Sequence, residues 1–432
     1  MKTSSNFPTV TNRSPWAWVP TLYFAQGIPY VVAMSVVVIM YKRFGISNSD
    51  IALYTSWLYL PWVIKPFWSP IVDILKTKHW WILSMQFLIG ICLAGVAFLI
   101  PMPFCFQSTL SVLWLMAFSS ATHDIAADGY YMLALDNAEK SFFVGIRSTF
   151  YRLAMISGQG LLVIIAGSLE SYSSSIYMAW SITFSIVALF FVSVLLYHRY
   201  ILPKPTIDYE VEHKTFRMVI REFGHTFSSF FQKKGILLAL TFMLLYRLGE
   251  ALLVKMISPF LLDSRQIGGL GLTTKQVGIV YGTIGVIALT IGGIVGGIAV
   301  SRKGLKYWIW PMALSITFPH LAFLYLSWYQ PSDMLMINIA VAIEQFGYGF
   351  GFTAFMLYLI YFSDGEHKTA HYAICTGFMA LGMMLPGMIA GKMQELLGYN
   401  HFFVFVMLCA IPTLLLIPFL SINPSYGKKN AE

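Results

Sequence analysis

The stretch SSATHDIAADGYY, residues 119–131, places two carboxylates inside a run of small and apolar residues that extends from Leu110 to Leu135. Asp124 and Asp128 are four residues apart, about one turn of an α-helix. Hydrophobic residues make up 57% of the 432-residue chain and charged residues only 11%, whereas a soluble domain carries about 25% charged residues. The stretch is therefore predicted to lie in a membrane-spanning helix that holds ionisable groups at depth.

Apolar runs of similar length recur along the whole chain. A helix that rises 1.5 Å per residue needs about 20 residues to cross about 30 Å of hydrocarbon. Twelve such runs lie between charged or turn-forming breaks, and they predict an all-α, polytopic membrane protein. Their approximate spans are 16–41, 51–74, 79–101, 109–135, 142–168, 176–198, 235–262, 275–300, 306–328, 334–362, 368–395 and 400–421.

One long polar segment divides the chain into two halves. We predict a six-helix bundle over residues 1–198, a cytoplasmic linker with an amphipathic stretch over 199–234, and a second six-helix bundle with a short tail over 235–432. The halves are weakly similar, since SDIALY (49–54) opens the second span as KQVGIVY (275–281) opens the eighth. Repeated halves are typical of secondary transporters, which bind their substrates near the bilayer midplane.

The basic residues predict the orientation, because Lys and Arg near span ends are retained on the cytoplasmic side. Eighteen of the 28 fall in cytoplasmic segments if the N-terminus is inside, and only Lys42, Arg43, Arg265 and Lys275 fall outside. Both termini are therefore predicted to be cytoplasmic. The net charge of +9 is explained by this topology, and no nucleic-acid partner is expected. The four cysteines occur singly, so no disulfide framework or metal site is expected either, and the polar first residues contain no cleavable signal.

The buried carboxylates of the first half have cationic candidates at matching depth. A charge at a helix centre costs about 2.5–3.5 kcal/mol on insertion scales, so each acid should face a partner or an aqueous cavity. Counted from the cytoplasmic ends of their spans, Asp128 matches Arg147 and Asp124 matches Arg152. Two interpretations stay open. The pairs are either static salt bridges, or a protonatable pair in which one acid is neutralised by Arg and the other takes a proton.

The second half carries a comparable set. Arg247 and Glu250 have i, i+3 spacing and are predicted to pair along one helix face. Glu344 lies at a similar depth without a cation on its own helix, so either glutamate is a candidate coupling acid. Lys65, near the depth of Asp128, either joins the Asp128 network or extends to the inner interface.

Amides and tyrosines within spans are the candidate sugar ligands, because apolar walls do not satisfy hydroxyl groups. Gln26 is the strongest candidate, since it is an amide in an apolar run. The full set is Tyr23, Gln26, Tyr30, Gln159, Tyr246, Tyr281 and Gln345. The alternative for each tyrosine is packing or anchoring at the membrane interface.

Two loops resemble a family motif. SPIVDILK (69–76) and GGIAVSRKGLK (296–306) are similar to the Gly-x-x-x-Asp-Arg/Lys-x-Gly-Arg/Lys loop of the major facilitator superfamily. Asp73 keeps the acid in the first copy, whereas Ser301 replaces it in the second, which retains Arg302 and Gly304. The resemblance implies a conformational role, because a carboxylate at a helix end can bind a neighbouring helix terminus or Arg in one state only. The alternative is a polar helix cap.

Six further segments resemble the AmpG-like muropeptide permeases, a branch that includes acetyl-CoA transporters. They are YFAQGIPY (23–30), LPWVIKPFWSPIVD (60–73), SATHDIAADGYY (120–131), YRLAMISGQG (151–160), YRLGEALLVKMISPFLL (246–262) and VAIEQFGYGFGFTAFMLYL (341–359). The resemblance implies the major facilitator fold and proton-driven import of anhydro-muropeptides across a bacterial inner membrane. Two departures stand out: some members carry two additional spans, and His123 stands where Gln is expected.

These features predict a monomeric, proton-coupled secondary transporter. Its partners would be a small-molecule substrate and the lipid bilayer, with protons as the coupling ion and no other cofactor. A coenzyme A thioester or another anionic solute is the alternative cargo, and a membrane sensor that does not transport is the alternative from another class. An enzyme is not predicted, because neither a metal-ligand cluster nor a nucleophile with its base is evident.

Overall fold

The computed structural model describes residues 13–173, 175–203, 216–365 and 367–428. Every regular element in these ranges is helical, which confirms the all-α prediction. The first nine α-helices are α1 (Val19–Val31), α2 (Val37–Arg43), α3 (Asn48–Trp57), α4 (Leu60–Leu75), α5 (Lys78–Leu99), α6 (Cys105–Ala134), α7 (Asn137–Ile156), α8 (Val163–Tyr172) and α9 (Ile176–Ile201). The remaining ten are α10 (Phe216–Phe231), α11 (Ile236–Leu245), α12 (Leu248–Leu262), α13 (Thr274–Val277), α14 (Val286–Lys303), α15 (Leu305–Thr317), α16 (His320–Tyr329), α17 (Met334–Ser363), α18 (Lys368–Leu408) and α19 (Ile411–Leu416).

Helices occupy all twelve predicted spans. Within the described residues, nine helical segments are long and apolar enough to cross a membrane. One of them, Ala370–Phe419, covers the last two predicted spans and bends at Gly398, whose φ is 69°. The predicted spans 51–74 and 109–135 are also helical, as α3 with α4 and as α6. The number of helices that cross the bilayer stays a prediction.

Side-chain caps fix where several helices begin. Ser47 accepts a hydrogen bond from the backbone N–H of Asp50 and starts α3. Thr77 caps α5 in the same way, and Thr273 forms a reciprocal capping box with Gln276 at α13. Each such cap contributes about 1 kcal/mol, because it satisfies a backbone donor that has no partner within the helix. These polar breaks coincide with boundaries between the predicted spans.

Contacts between Cα atoms divide the chain into two compact units. Unit 1 contains Met1–Tyr30, Phe67–Ala154 and Phe184–Phe223. Its core includes Trp18 packed edge-to-face on Tyr130 with ring centroids 5.1 Å apart, and the Tyr130 hydroxyl donates to the carbonyl of Pro203 at 2.5 Å. This packing holds α1 against α6 and positions the polar side chains described below.

Unit 2 contains Val31–Pro66, Met155–Thr183 and Gly224–Glu432. Its helices include two π-helical stretches, Ser157–Leu162 and Gly278–Gly285. These stretches pack backbone to backbone, since a Cβ atom added to Gly282 would lie 1.9 Å from the carbonyl oxygen of Gln159. Only glycine permits that approach. π-Helical turns are frequent at functional sites, and these two carry Gln159 and Tyr281.

The predicted linker is described in part. Residues 204–215 lie outside the described residues, and Phe216–Phe231 forms α10, as the amphipathic pattern indicates. Phe230 at its end is buried in the core of unit 2 against Phe362 and His371. The division into bundles 1–198 and 235–432 stays a prediction.

Candidate substrate and proton sites

A polar triad in unit 1 joins α1, α6 and α7. The Tyr23 hydroxyl donates to Asp128 Oδ1 at 3.1 Å and accepts from Arg147 Nη1 at 3.0 Å. Arg147 Nη2 lies 3.4 Å from Asp128 Oδ1, which confirms the predicted pairing of these two residues. Tyr23, expected as a sugar ligand, therefore bridges the ion pair.

This triad is accessible to solvent. The side chain of Arg147 is 31% exposed and that of Asp128 is 45% exposed. Charges at such depth avoid the cost of burial where they face a partner or water, and each of these two charges faces the other. The Arg147 guanidinium also lies over the rings of Tyr23 and Tyr131, at 4.6 and 5.1 Å. These cation–π contacts orient the guanidinium beside the open surface.

Other predicted residues lie on the same helices. Gln26 is buried, and its side-chain oxygen has no hydrogen-bond partner among the described atoms. An unmatched buried acceptor costs about 1–3 kcal/mol, which favours a ligand donor at this amide. The Tyr151 hydroxyl is close enough to Tyr30, Asp124 and Asp128 to interact with them electrostatically. The pairing of Asp124 with Arg152 stays a prediction.

His123 belongs to a buried chain of polar groups that the sequence did not reveal. Its Nε2 lies 3.1 Å from the amide nitrogen of Gln86, whose side chain also contacts His198 Nδ1 at 2.9 Å. His198 Nε2 in turn contacts the Thr21 hydroxyl at 2.9 Å. The chain links α6, α5, α9 and α1, and its members are too far apart in sequence for spacing to predict it.

Unit 2 contains a buried cluster of two acids and a histidine. Glu250 on α12, His320 at the start of α16 and Glu344 on α17 are each about 1% exposed. One ligand atom from each lies within 4.8 Å of the others. His320 Nε2 is 3.2 Å from Glu250 Oε2, and the Gln345 amide donates to Glu344 Oε2 at 2.8 Å.

The predicted Arg247–Glu250 pair is wrong. Among the described contacts, Arg247 donates to the Tyr348 hydroxyl and lies over the Tyr348 and Phe352 rings, at 5.2 and 4.7 Å, while Glu250 pairs with His320. The physical reason is a break in the span: α11 ends at Leu245, α12 begins at Leu248, and Arg247 has φ −111° and ψ 20°. The i, i+3 face that would align the two side chains is therefore interrupted.

The two carboxyl groups of this cluster lie close together, since each offers an oxygen within 4.8 Å of the other. Glu250 Oε1 and Glu344 Oε1 have no hydrogen-bond partner among the described atoms. Two ionised carboxylates so close and so deeply buried would repel each other, which favours a proton on one of the pair. The arrangement is therefore suited to holding a proton inside the protein. Two carboxylates and an imidazole are also a donor set for a divalent transition metal. The residues come from three separate helices, which is why no spacing motif predicted the cluster.

Predicted substrate ligands lie beside this cluster. Gln159 donates to Ser35 Oγ at 2.9 Å, and its backbone packs against Gly282, the residue after Tyr281. Tyr281 is in turn within electrostatic reach of Glu344 and Glu250. The structure thus brings Gln159, Tyr281 and Gln345 to the buried acids.

Tyr246, a candidate sugar ligand, has the alternative role of a packing residue. Its ring stacks on Phe355 with centroids 4.9 Å apart, and its hydroxyl donates to the carbonyl of Gly351 at 2.9 Å. It belongs to the hydrophobic core of unit 2.

Ion pairs join helix ends on one side of unit 2. Lys42 Nζ lies 2.6 Å from Asp263 Oδ1, and Asp263 also accepts from the Tyr399 hydroxyl at 2.6 Å. Arg43 pairs with Glu170 at 3.2 Å. Two of the four basic residues that departed from the charge bias are thus held by carboxylates. We name the Lys42–Asp263 and Arg43–Glu170 pairs the end clasp.

Glu170 ties further elements into the end clasp. It accepts hydrogen bonds from Trp180 Nε1 at 2.8 Å and from the Thr274 hydroxyl at 2.7 Å. The clasp therefore connects α2, α8, α9, α12 and α13 on one side of the unit.

The loop motif is described in its second copy. The Asp73 side chain lies outside the described residues. Ser301 donates to the carbonyl of Ile298 at 2.8 Å, Arg302 is exposed, and Gly304 ends α14 with φ 85°. This copy forms a helix terminus, since left-handed glycine is a usual C-cap. Lys65 is half-buried, and its place in the Asp128 network stays a prediction.

The described helices are long and apolar, and they carry the partly exposed Asp128–Arg147 pair, a buried cluster of acids and the end clasp. These features are typical of a multi-pass secondary transporter. The chain belongs to the Major Facilitator Superfamily, whose family model matches residues 21–385. The coordinates superpose on a D-xylose-proton symporter with TM-score 0.72 at 10% identity, over 96% of this chain and 98% of that one. They superpose on the nucleoside transporter NupG with TM-score 0.68 at 15% identity, over 94% and 99%.

Relatives in sequence narrow the family to its AmpG-like branch. The chain is 26% identical to the protein named AmpG 4 of Rickettsia conorii, over 93% of this chain and 95% of the relative. It is 24% identical to the anhydromuropeptide permease of Escherichia coli, over 96% and 81%. The predicted AmpG-like resemblance is confirmed, and the protein is a transporter rather than an enzyme.

Proposed function

We propose that the protein imports peptidoglycan-derived amino sugars or anhydro-muropeptides by alternating access, driven by the proton gradient. This choice of cargo is supported by the similarity of the chain to the Escherichia coli protein named anhydromuropeptide permease. Coupling to protons is supported by one observation above all, the close approach of the buried carboxyl groups of Glu250 and Glu344, which offer oxygens within 4.8 Å of each other. As a monomer in a bacterial inner membrane, the protein would keep both termini in the cytoplasm, in line with its basic residues.

The proton follows from the charge count of the acid cluster. With both glutamates ionised, two like charges would be buried close together, and desolvating a charge costs several kcal/mol. One proton removes one of these charges and with it the repulsion between the two groups. His320 accepts or donates on the other side of Glu250, so it positions the pair and gives the proton a second site. A bound divalent metal is the competing occupant that the experiment below distinguishes.

Each unit contains polar groups that suit an amino sugar. In unit 1, Gln26 has an unmatched buried oxygen. In unit 2, Gln159, Tyr281 and Gln345 supply amide and hydroxyl groups beside the acids. Such groups match sugar hydroxyls, which apolar walls would leave unsatisfied. The Arg147 side chain is partly exposed but already forms an ion pair with Asp128, which partly neutralises its positive charge. A coenzyme A thioester, whose phosphate groups carry several negative charges, is therefore less well matched than an amino sugar with a short peptide.

The test is uptake of labelled anhydro-muropeptide by proteoliposomes that contain the purified protein. Glu344→Gln should abolish accumulation driven by an inward proton gradient and retain counterflow, because exchange needs no net proton movement. Glu139→Gln, in the first turn of α7 and outside the acid cluster, is the matched control and should accumulate substrate normally. Chelators should leave transport unchanged, and loss of transport in chelator would indicate a metal. Binding without counterflow would identify a sensor and reject transport.

A further inference from the structure

A pocket of about 820 Å³ lies in unit 1, where α5 begins and α9 ends. Basic residues stand at its mouth: Lys76, His79 and Arg199. Trp80, Phe87 and Leu196 form part of its apolar wall. The pocket lies on the outer surface of two apolar helices, apart from the polar triad and the acid cluster, so it does not depend on the proposed transport function.

The mouth of the pocket carries positive charge. None of the described residues that line it is acidic. Lys76 and Arg199 are exposed, and neither forms an ion pair among the described contacts. Thr77 caps the 22-residue helix α5 at the same place, so the positive end of that helix dipole adds to the basic side chains. The mouth is therefore suited to a phosphate group.

The wall of the pocket is apolar and uncovered. Trp80 is 45% exposed, Phe87 is 58% exposed and Leu196 is 51% exposed. Phe87 follows Lys78 by nine residues, about 13 Å along the helix axis. Positive charge at the helix ends and apolar surface deeper along the same helices require an amphipathic ligand, with its anionic head at the ends and its tail along the wall.

We propose that this pocket binds an anionic phospholipid, with the phosphate between Lys76 and Arg199 and one acyl chain along Phe87 and Leu196. Basic pockets between spanning helices bind anionic headgroups in this way, and each Lys or Arg near the surface contributes about 1 kcal/mol. That corresponds to about fivefold in affinity for each residue. Trp80, at the level of the headgroup, is the amphipathic anchor that such interfaces favour.

The test is native mass spectrometry of the detergent-purified protein titrated with phosphatidylglycerol, and with phosphatidylcholine as the neutral lipid. The wild type should retain phosphatidylglycerol in preference to phosphatidylcholine. Lys76→Gln with Arg199→Gln should weaken phosphatidylglycerol binding by about 25-fold and leave phosphatidylcholine unchanged. The matched control, Lys234→Gln with Lys306→Gln, removes two exposed basic residues outside the pocket and should bind as the wild type does.

Further measurements keep the proposal falsifiable. Thermal unfolding should show that both double variants fold, and Phe87→Ser should weaken phosphatidylglycerol binding through the tail alone. Glycerol 3-phosphate, which has the headgroup chemistry without acyl chains, should not compete at concentrations where the lipid saturates. Equal binding by the pocket and control variants would overturn the proposal. Equal retention of the two lipids by the wild type would also overturn it. Competition by glycerol 3-phosphate would do the same, because it would indicate that the pocket binds a soluble anion.

Discussion

The carboxyl groups of Glu250 on α12 and Glu344 on α17 offer oxygens within 4.8 Å of each other, and the imidazole of His320 lies 3.2 Å from the first of them. Three helices of unit 2 thus converge on one buried group of acids. A proton on one of the two acids leaves a single buried charge, and its release would leave two buried charges that repel each other. A change in protonation therefore favours a different packing of these helices, which is the requirement for coupling proton movement to a conformational change.

The acid cluster should tolerate amides but not truncation. Glu250→Gln keeps the volume, retains hydrogen-bonding groups beside His320 and Glu344 and removes an ionisable group from the buried pair, so the free energy of unfolding should change by only about 1 kcal/mol. Glu250→Ala opens a cavity and leaves His320 without its partner, and should cost about 2–4 kcal/mol. Thermal or denaturant unfolding of the purified variants measures the difference. Equal stability of the two variants would contradict the hydrogen-bonded arrangement.

The Tyr23 hydroxyl should matter more for substrate than for folding. Tyr23→Phe removes the bridge between Asp128 and Arg147 and keeps the ring beneath the guanidinium, so the melting temperature should change little. The freed charges should lose their orientation, and uptake at low substrate concentration should fall by about tenfold, the effect of about 1.4 kcal/mol. Tyr131→Phe, whose hydroxyl contacts the Lys140 carbonyl instead, is the control. Wild-type uptake by Tyr23→Phe would separate the triad from transport.

The end clasp should hold one side of unit 2 closed. Asp263→Asn removes the partner of Lys42, and breaking a buried ion pair costs about 3–5 kcal/mol. Opening should then expose Ser258, which is 3% exposed on α12. A Ser258→Cys reporter, in a background with Cys92, Cys105, Cys375 and Cys409 changed to Ser, should react faster with a polar maleimide when Asp263→Asn is added. Asp50→Asn, at the cap of α3, should not accelerate labelling; unchanged labelling in both would argue against a gate.

Lys255 is a buried amine whose described contacts contain no carboxylate. It is 3% exposed, donates to the Thr55 hydroxyl at 3.0 Å and lies over the Tyr59 ring at 5.3 Å. An amine with so few partners is costly to bury, so Lys255→Met should raise the free energy of unfolding by about 1–3 kcal/mol. Lys392→Met, at an exposed site of α18, should change it by less than about 0.5 kcal/mol. If Lys255→Met instead lowers the free energy of unfolding, the surroundings of the buried amine stabilise it, which contradicts this prediction.

The sequence predicted those features that follow from composition and depth. Apolar run length located the helices, and residue counting along two adjacent spans matched Asp128 to Arg147 because both helices are continuous there. The same counting failed for Arg247 and Glu250, because the span breaks between α11 and α12. The break occurs at Tyr246 and Arg247. Neither is a proline or a glycine, the residues that usually mark such interruptions, so the sequence does not signal it.

The members of the acid cluster were only partly predictable. Glu250 and Glu344 stand out as acids in apolar runs, whereas His320 follows Pro319 in a segment with no other ionisable residue nearby and gives no spacing signal. Its role depends on α16 packing beside α12 and α17, which is tertiary information. The same holds for Gln86 and His198, whose contact joins residues 112 positions apart.

The most direct test of the account is to measure proton movement with substrate entry into proteoliposomes, using a pH-sensitive dye in a weakly buffered medium. Adding anhydro-muropeptide outside should make the external medium more alkaline in the wild type, as protons enter with the substrate. Glu344→Gln should exchange substrate in counterflow without any alkalinisation. An alkalinisation of wild-type size in Glu344→Gln, or none in an actively importing wild type, would contradict coupling through the Glu250–Glu344 pair.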